Sequence, residues 1–147
     1  IPLHVKSFVD PELPGTRVSD DEATGYPPMV AVEPRQAYLQ ISTRDYAFVA
    51  EQHLSELFQH IAALSLQVNL MQNSAISFKL CVNDIDDKVD RLIARIDAAY
   101  EVEVERGLEL LTIRHDRDPV VAQLTRNRVV LFEKRIPETL QLICRPT

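Results

Sequence analysis

Between Gln36 and Val104 the apolar residues change period in an order that leaves few folds open. From Gln36 to Ser42 they alternate, with Ala37, Leu39 and Ile41 on one side, the two-residue repeat of a strand with one buried face. From Val49 to Leu64 the spacing widens to Ala50, Leu54, Leu57, Phe58, Ile61 and Leu64, one stripe of a helix. Alternation returns twice, at Leu66, Val68 and Leu70 and at Ile76, Phe78, Leu80 and Val82, across the bend Gln72-Asn73-Ser74. A second helical stripe follows at Ile85, Val89, Leu92, Ile93 and Ile96. Asp84 is its expected N-cap, with Asp87 three residues on in a pattern like a capping box. Tyr100 to Val104 closes the series as a strand, so the order is β-α-β-β-α-β.

That order belongs to the ferredoxin-like split unit, an α+β arrangement with an antiparallel sheet and two helices on one face. The flanking residues hold most of a second unit. Leu108 to Arg114 reads as a strand, and Asp118-Pro119 opens a short helix to Thr125 with proline in its first turn. Arg128 to Lys134 and Glu138 to Cys144 read as strands joined across Ile136-Pro137. One strand is missing, and no second helix follows. Leu3 to Phe8, a strand stopped by Asp10-Pro11 and Pro14-Gly15, supplies the strand if the first unit is inserted into the second. The expected division is 36–104 for the first unit and 1–18 with 105–147 for the second. The proline- and glycine-containing segment 19–35 is the expected linker, with a short strand at Met29 to Val32.

Chemistry is constrained mainly by what the chain lacks. Its net charge of −6 argues against a nucleic-acid partner, which needs a basic face to neutralise phosphates. No apolar run is long enough to span a bilayer and no signal peptide is visible, so a cytoplasmic protein without a membrane partner is expected. Gly15, Gly25 and Gly107 are too scattered for a phosphate-cradling loop. His53 and His60 lie seven residues apart on one helix, about 10 Å along its axis, too far to share a metal. His115 to Asp118 reads as a solvated turn, and Asp84, Asp86, Asp87 and Asp90 do not follow a calcium-loop pattern. No metal site and no nucleophilic set is expected. Cys81 and Cys144 sit in apolar strand-like runs, compatible with two buried thiols or with one disulfide. The chain opens on Ile1 rather than methionine and is read as a fragment.

Four segments carry a family resemblance: VKSFVDPELPGTRV at 5–18, QNSAISF at 72–78, LELLTIRH at 108–115 and VVLFEKRIPETLQLI at 129–143. Together they resemble the C-terminal regulatory region of bacterial aspartate kinases, most closely the Bacteroides-like group. The resemblance implies two ACT domains of ferredoxin-like fold, the first inserted into the second. It also implies pairing of the first ACT domain with its counterpart in another subunit. A feedback amino acid, lysine or threonine, then binds at that interface and controls phosphorylation of aspartate by the kinase's own catalytic domain. ATP and magnesium are expected only in that absent domain, and the fragment itself is expected to be catalytically silent without a cofactor. The other reading is a ligand-free ACT scaffold that only joins kinase subunits.

A free amino acid needs oxygens for its ammonium, N–H donors for its carboxylate and a selective pocket for its side chain. The ACT pattern implies these at Ala50, Gln52, His53 and Leu54, at Gln67, Val68 and Asn69 on the second strand, and at Asn73, Ser74 and Ala75 in the bend. Asn69 is expected to project away from the helices. Lysine-sensitive relatives carry acidic residues where Asn69 and Ala75 stand, so those two positions depart from the lysine pattern.

Overall fold

The computed structural model describes residues 2–18, 26–44, 51–115 and 118–147. Among them the elements run β1 (Leu3–Val5), β2 (Thr16–Val18), β3 (Met29–Thr43), α1 (Glu51–Ala63), β4 (Val68–Asn73), β5 (Ser77–Asn83), α2 (Lys88–Ile96), β6 (Tyr100–Arg114), α3 (Asp118–Thr125), β7 (Arg128–Ile136) and β8 (Thr139–Pro146). The class is α+β. Six strands form one antiparallel sheet in the order β4-β5-β3-β6-β8-β7, while β1 and β2 pair separately as a hairpin.

The sheet is continuous because β3 and β6 are each 15 residues long and pair with each other through both halves. Leu39 faces Val104 at one end, and Val32 faces Leu111 at the other. The segments expected as separate strands, Met29 to Val32 with Gln36 to Ser42, and Tyr100 to Val104 with Leu108 to Arg114, are therefore one strand each. Sequence alternation breaks at Glu33-Pro34-Arg35 and at Glu105-Arg106-Gly107, and there the pairing slips between Glu33 and Tyr38. Arg35 and Gly107 take positive φ at this bulge, 55° and 70°. A bulge inserts an unpaired residue and reverses which parity faces inward. Leu39 and Val104 thus share a side with Leu111 and Ile113, although the odd–even order along β6 has changed.

Helices cover that shared side. Leu57 and Ile61 of α1 and Val89, Leu92 and Ile96 of α2 pack on Ala37, Leu39, Ile41, Phe78, Leu80 and Val82. Val121 and Leu124 of α3 pack against Leu111, Ile113, Leu140, Leu142 and Cys144. The opposite side has no helix, yet Leu70, Cys81, Leu108, Leu110 and Ile143 are buried there with Tyr38, Leu131 and Phe132 against them. The sheet covers this side by curling on itself. In a flat sheet β4 and β7 would lie five strand spacings apart, roughly 24 Å. Here Lys134 Nζ of β7 donates to the Met71 carbonyl of β4 at 3.4 Å, and the Tyr38 and Phe132 rings lie 5.8 Å apart.

Three expectations are corrected, and of the two readings of the cysteines one holds. Leu3 to Phe8 does not complete the second half: Leu3 pairs with Val18 and Val5 with Thr16, and Met29–Glu33 takes the position beside β6. Residues 29–35, expected in the linker, lie in β3, because Val30 and Val32 find partners in Ile113 and Leu111; residues 19–25 lie outside those described. Asp84 does not cap α2, which starts at Lys88 after Asp86 and Asp87 turn with φ of 57° and 53°. Its carboxylate instead accepts from Arg106 at 2.8 Å, and Arg106 also holds Asp90 at 2.6 Å, tying the start of α2 to β6. The two cysteines are free and buried, so the disulfide alternative falls.

Closure of the helix-free side is testable. Leu110→Ala should lower the unfolding free energy by about 2–5 kcal/mol in urea denaturation, the cost of a cavity at a fully buried leucine. A loss below about 1 kcal/mol would mean that this side is open in solution.

Candidate functional site

Four amides meet where β3, β4 and β5 lie side by side. Gln36 is fully buried at the bulge, and its Nε2 donates to Asn83 Oδ1 at 2.8 Å and to the Pro34 carbonyl at 3.2 Å. Asn69 Nδ2 donates to Gln36 Oε1 at 2.8 Å and to Asn83 Oδ1 at 2.6 Å. Asn83 Nδ2 donates in turn to Gln67 Oε1 at 3.1 Å, and the Asn83 N–H to the Gln67 carbonyl. The Cys81 thiol points at Gln36 Oε1 from 3.4 Å. A buried amide is costly unless paired, and Gln36, the buried one of the four, has both its oxygen and its amide protons engaged. Asn69 lies on the helix-free side, as expected, but its amide protons are already in use.

The bend between β4 and β5 sits at the other end of these strands. Ser74 closes it without glycine: its N–H donates to the Ser77 carbonyl at 2.9 Å, and its Oγ accepts the Ser77 N–H at 3.1 Å. The Ser74 and Ser77 hydroxyls are 2.9 Å apart. Side-chain acceptance of a backbone N–H does here what a left-handed glycine does in tighter hairpins. Asn73 is exposed beside it.

The start of α1 adjoins that same end. Gln52 is exposed, Leu54 packs into the core and the His53 ring meets Tyr100 edge-on at 6.0 Å. Val68 also packs on the core. Ser42 pairs with Ser77 and Gln36 with Asn83, six residues apart along β5, so the bend and the amide cluster are separated by roughly 20 Å. Within one copy the expected residues thus form two groups: Gln52, His53, Asn73 and Ser74 at one end, Gln67 and Asn69 at the other. Ala50 lies outside the described residues. Gln36 and Asn83 were not anticipated; a polar residue at one end of each of two apolar-alternating stretches was the only signal for them.

Each group borders a cleft. One of about 240 Å³ at the bulge is lined by Glu33, Arg35, Gln36, Asn83 and Ile85. The other, about 300 Å³, is lined by Thr43, Arg44, His53, Glu56 and Tyr100. Arg44 is anchored across it, donating to the Asp97 carbonyl at 2.6 Å and to its carboxylate at 3.0 Å. The Tyr100 hydroxyl is buried without a hydrogen-bond partner among the described residues. Burial raises its pKa first, and the Glu56 carboxylate nearby adds to the effect without reaching bonding geometry. Burial likewise raises Tyr38, with Cys81 and Glu105 adding. The Cys81 thiol is pushed up to about 12 by burial and by Glu33, and burial raises Cys144 against the pull of Arg128. Among the described residues no cluster of His, Cys, Asp and Glu is arranged to hold a metal, and no helix is long and apolar enough to cross a membrane.

No family model matches the chain, and no curated protein matches it. Solved structures do. Aspartokinase III of E. coli, in complex with lysine and aspartate, is 21% identical with a TM-score of 0.65, matching 97% of this chain and 35% of that one. Aspartate kinase of Clostridium acetobutylicum is 14% identical with a TM-score of 0.72, over 99% of this chain and 39% of that one. A chain assigned as a C-terminal regulatory domain of aspartate kinase from Porphyromonas gingivalis W83 is 11% identical with a TM-score of 0.64, over 80% of this chain and 86% of that one. At these identities the likeness is one of fold, and this chain spans little more than a third of the two kinases. The proteins sharing the fold are those that the sequence resembles.

Asn69→Ala should cost about 1–3 kcal/mol, because the Gln36 and Asn83 oxygens each lose a half-buried donor; a neutral result in urea denaturation would show that water replaces it. Cys81 should resist thiol reagents in native protein at pH 8 and label only on unfolding. The native thiol holds its proton to about 12 while an unfolded one releases it near 9.0, so the Cys81 contribution is complete below pH 9 and fades as pH rises through that window. Replacing Cys81 by valine should flatten the fall; an unchanged slope would exclude the thiol as its source.

Proposed function

We propose that this chain is the regulatory region of an aspartate kinase. The observation that carries the reading is a repeated strand order. Residues 36–104 give β4-β5-β3-β6 with α1 and α2 on one side; the far halves of β3 and β6 with β8 and β7 give the same order, with α3 on that side. In this reading each four-stranded half is a ferredoxin-like unit, the second with α3 as its one described helix, and the repeated strand order supports the two halves that a tandem ACT region requires. The second half draws its edge strand from Met29–Glu33, so the first unit is inserted in it by way of β3 and β6. The fold shared with aspartate kinases supports the same reading.

In this reading a feedback amino acid, lysine or threonine, binds between two copies, with Gln67 and Asn69 of one end of the strands brought near Gln52, His53, Asn73 and Ser74 of the partner. The roughly 20 Å between the groups in one copy is the reason a second copy is needed. Ligand acts by binding one arrangement of the pair better than another, and the kinase equilibrium moves by that difference in affinity alone. Phosphorylation of aspartate, with its ATP and magnesium, belongs to the catalytic body. One observation favours the rival reading of a ligand-free scaffold: the Asn69 amide protons and the Ser74 hydroxyl are already paired within the chain.

Thermal unfolding with lysine, threonine and methionine separates the two. A ligand that binds only the folded state adds about 2.7 kcal/mol at a hundred times its Kd, so lysine or threonine should raise Tm by several degrees and methionine should not. No shift with any of the three at millimolar concentration would leave the scaffold standing.

A further inference from the structure

The cleft of about 300 Å³ beside α1 contains a polar group that the fold leaves unused. Tyr100 lines it at the start of β6 and is only 4% exposed, with its ring edge-on to His53. Its hydroxyl is buried without a hydrogen-bond partner among the described residues, and burial raises its pKa, so the oxygen keeps its proton. An unpaired buried hydroxyl is costly, which points to a partner that comes from outside the chain. Tyr38 has an unpaired hydroxyl too, but it packs against Phe132 in the helix-free core and borders neither of the two clefts.

The charges around Tyr100 favour a cation. Glu56 follows His53 on the same face of α1, roughly 4.5 Å further along the axis. Its carboxylate is near enough to act on the Tyr100 hydroxyl but does not bond it. Arg44, the one guanidinium among the described residues that line the cleft, is already committed to Asp97. Its Nε and Nη2 donate to the Asp97 carbonyl at 3.1 and 2.6 Å, and Nη2 also meets the carboxylate at 3.0 Å. Helix α2 ends at Ile96, and Ala98 and Ala99 just beyond it line the cleft, so the negative end of that helix borders the same space. With Arg44 neutralised, Glu56 is the charge left for a ligand. An ammonium between Glu56 and Tyr100 donates to carboxylate and hydroxyl together, whereas a ligand hydroxyl gains nothing from the Glu56 charge.

We propose that this cleft is a subsite for a primary ammonium, held by the Glu56 carboxylate and the Tyr100 hydroxyl. Joined to the function proposed above, on which this step rests, the subsite selects lysine as the feedback amino acid. The head of the ligand lies by Gln52 and His53, and its side-chain ammonium reaches Glu56 one turn further along α1. Threonine has no charge to place there.

Isothermal titration of the 147-residue chain with lysine, norleucine and threonine tests this, on the native sequence and on Glu56→Gln and Tyr100→Phe. Norleucine keeps the head and carbon chain of lysine without the terminal ammonium. Lysine should bind about tenfold or more tighter than the other two, and each variant should weaken lysine by about tenfold, the loss of a charge-assisted contact. Tyr100→Phe should hold or raise Tm, because the hydroxyl it removes has no partner to lose. A fall in Tm of more than about 2 °C in that variant would overturn the subsite, since the hydroxyl would then be bonded in the free chain. Equal affinity for lysine and norleucine, or lysine affinity unchanged in both variants, would overturn it as well. Tight binding of threonine alone would keep the effector reading and remove the subsite. Lysine held by a monomer and weakened by both variants would keep the subsite and remove the paired-copy reading. No binding of any of the three would remove both.

Discussion

Pairing of β3 with β6 over their whole length is the interaction on which the rest depends. Each strand belongs to both halves of the sheet, so neither half is complete without it. The bulge at Glu33–Arg35 and Arg106–Gly107 keeps the helices of both halves on one side despite an extra residue. It also bends the sheet, and the bend brings Phe132 onto Tyr38 and β7 to β4. A core of Leu70, Cys81, Leu108, Leu110 and Ile143 results where a flat sheet would have left apolar surface in water.

The amide cluster sits at the seam. Gln36 marks the point at which β3 passes from one half to the other, and its side chain links three strands through Asn69 and Asn83. An amide network of this kind stiffens what it joins where its hydrogen bonds are shielded from water, as they are at Gln36. Under the function proposed above, rigidity at the seam would let a shift between paired copies pass through the sheet.

Much of this was legible in the residues. The period changes from Gln36 to Val104 located both helices and four strands, because each element buries one face and the spacing reports which. Continuity of the sheet was not legible, because Pro34-Arg35 and Arg106-Gly107 look like breaks and become a bulge only when the two stretches face each other. The role of Leu3 to Phe8 was hidden for a related reason: alternation shows that a strand will pair, not with which partner. Asp84 looked like a helix cap, and only the arrival of Arg106 from a distant strand shows why it is not. For the candidate site, the family resemblance pointed to Asn69 and Ser74, but neither it nor the residue types could reveal that neighbours already engage the Asn69 amide protons and the Ser74 hydroxyl. Gln36 and Asn83 became visible only through the register that sets them side by side.

The function proposed above requires this sheet to bind a feedback amino acid between two copies. Amide chemical shifts of the 147-residue chain, followed during titration with threonine and with lysine, test it most directly. The account predicts saturable shifts in two places at once, at Gln67 to Asn69 and at Gln52 to Leu54 with Asn73 and Ser74, together with slower tumbling of a dimer. Spectra unchanged at millimolar concentrations of both, or shifts confined to one end of the strands in a monomer, would contradict it.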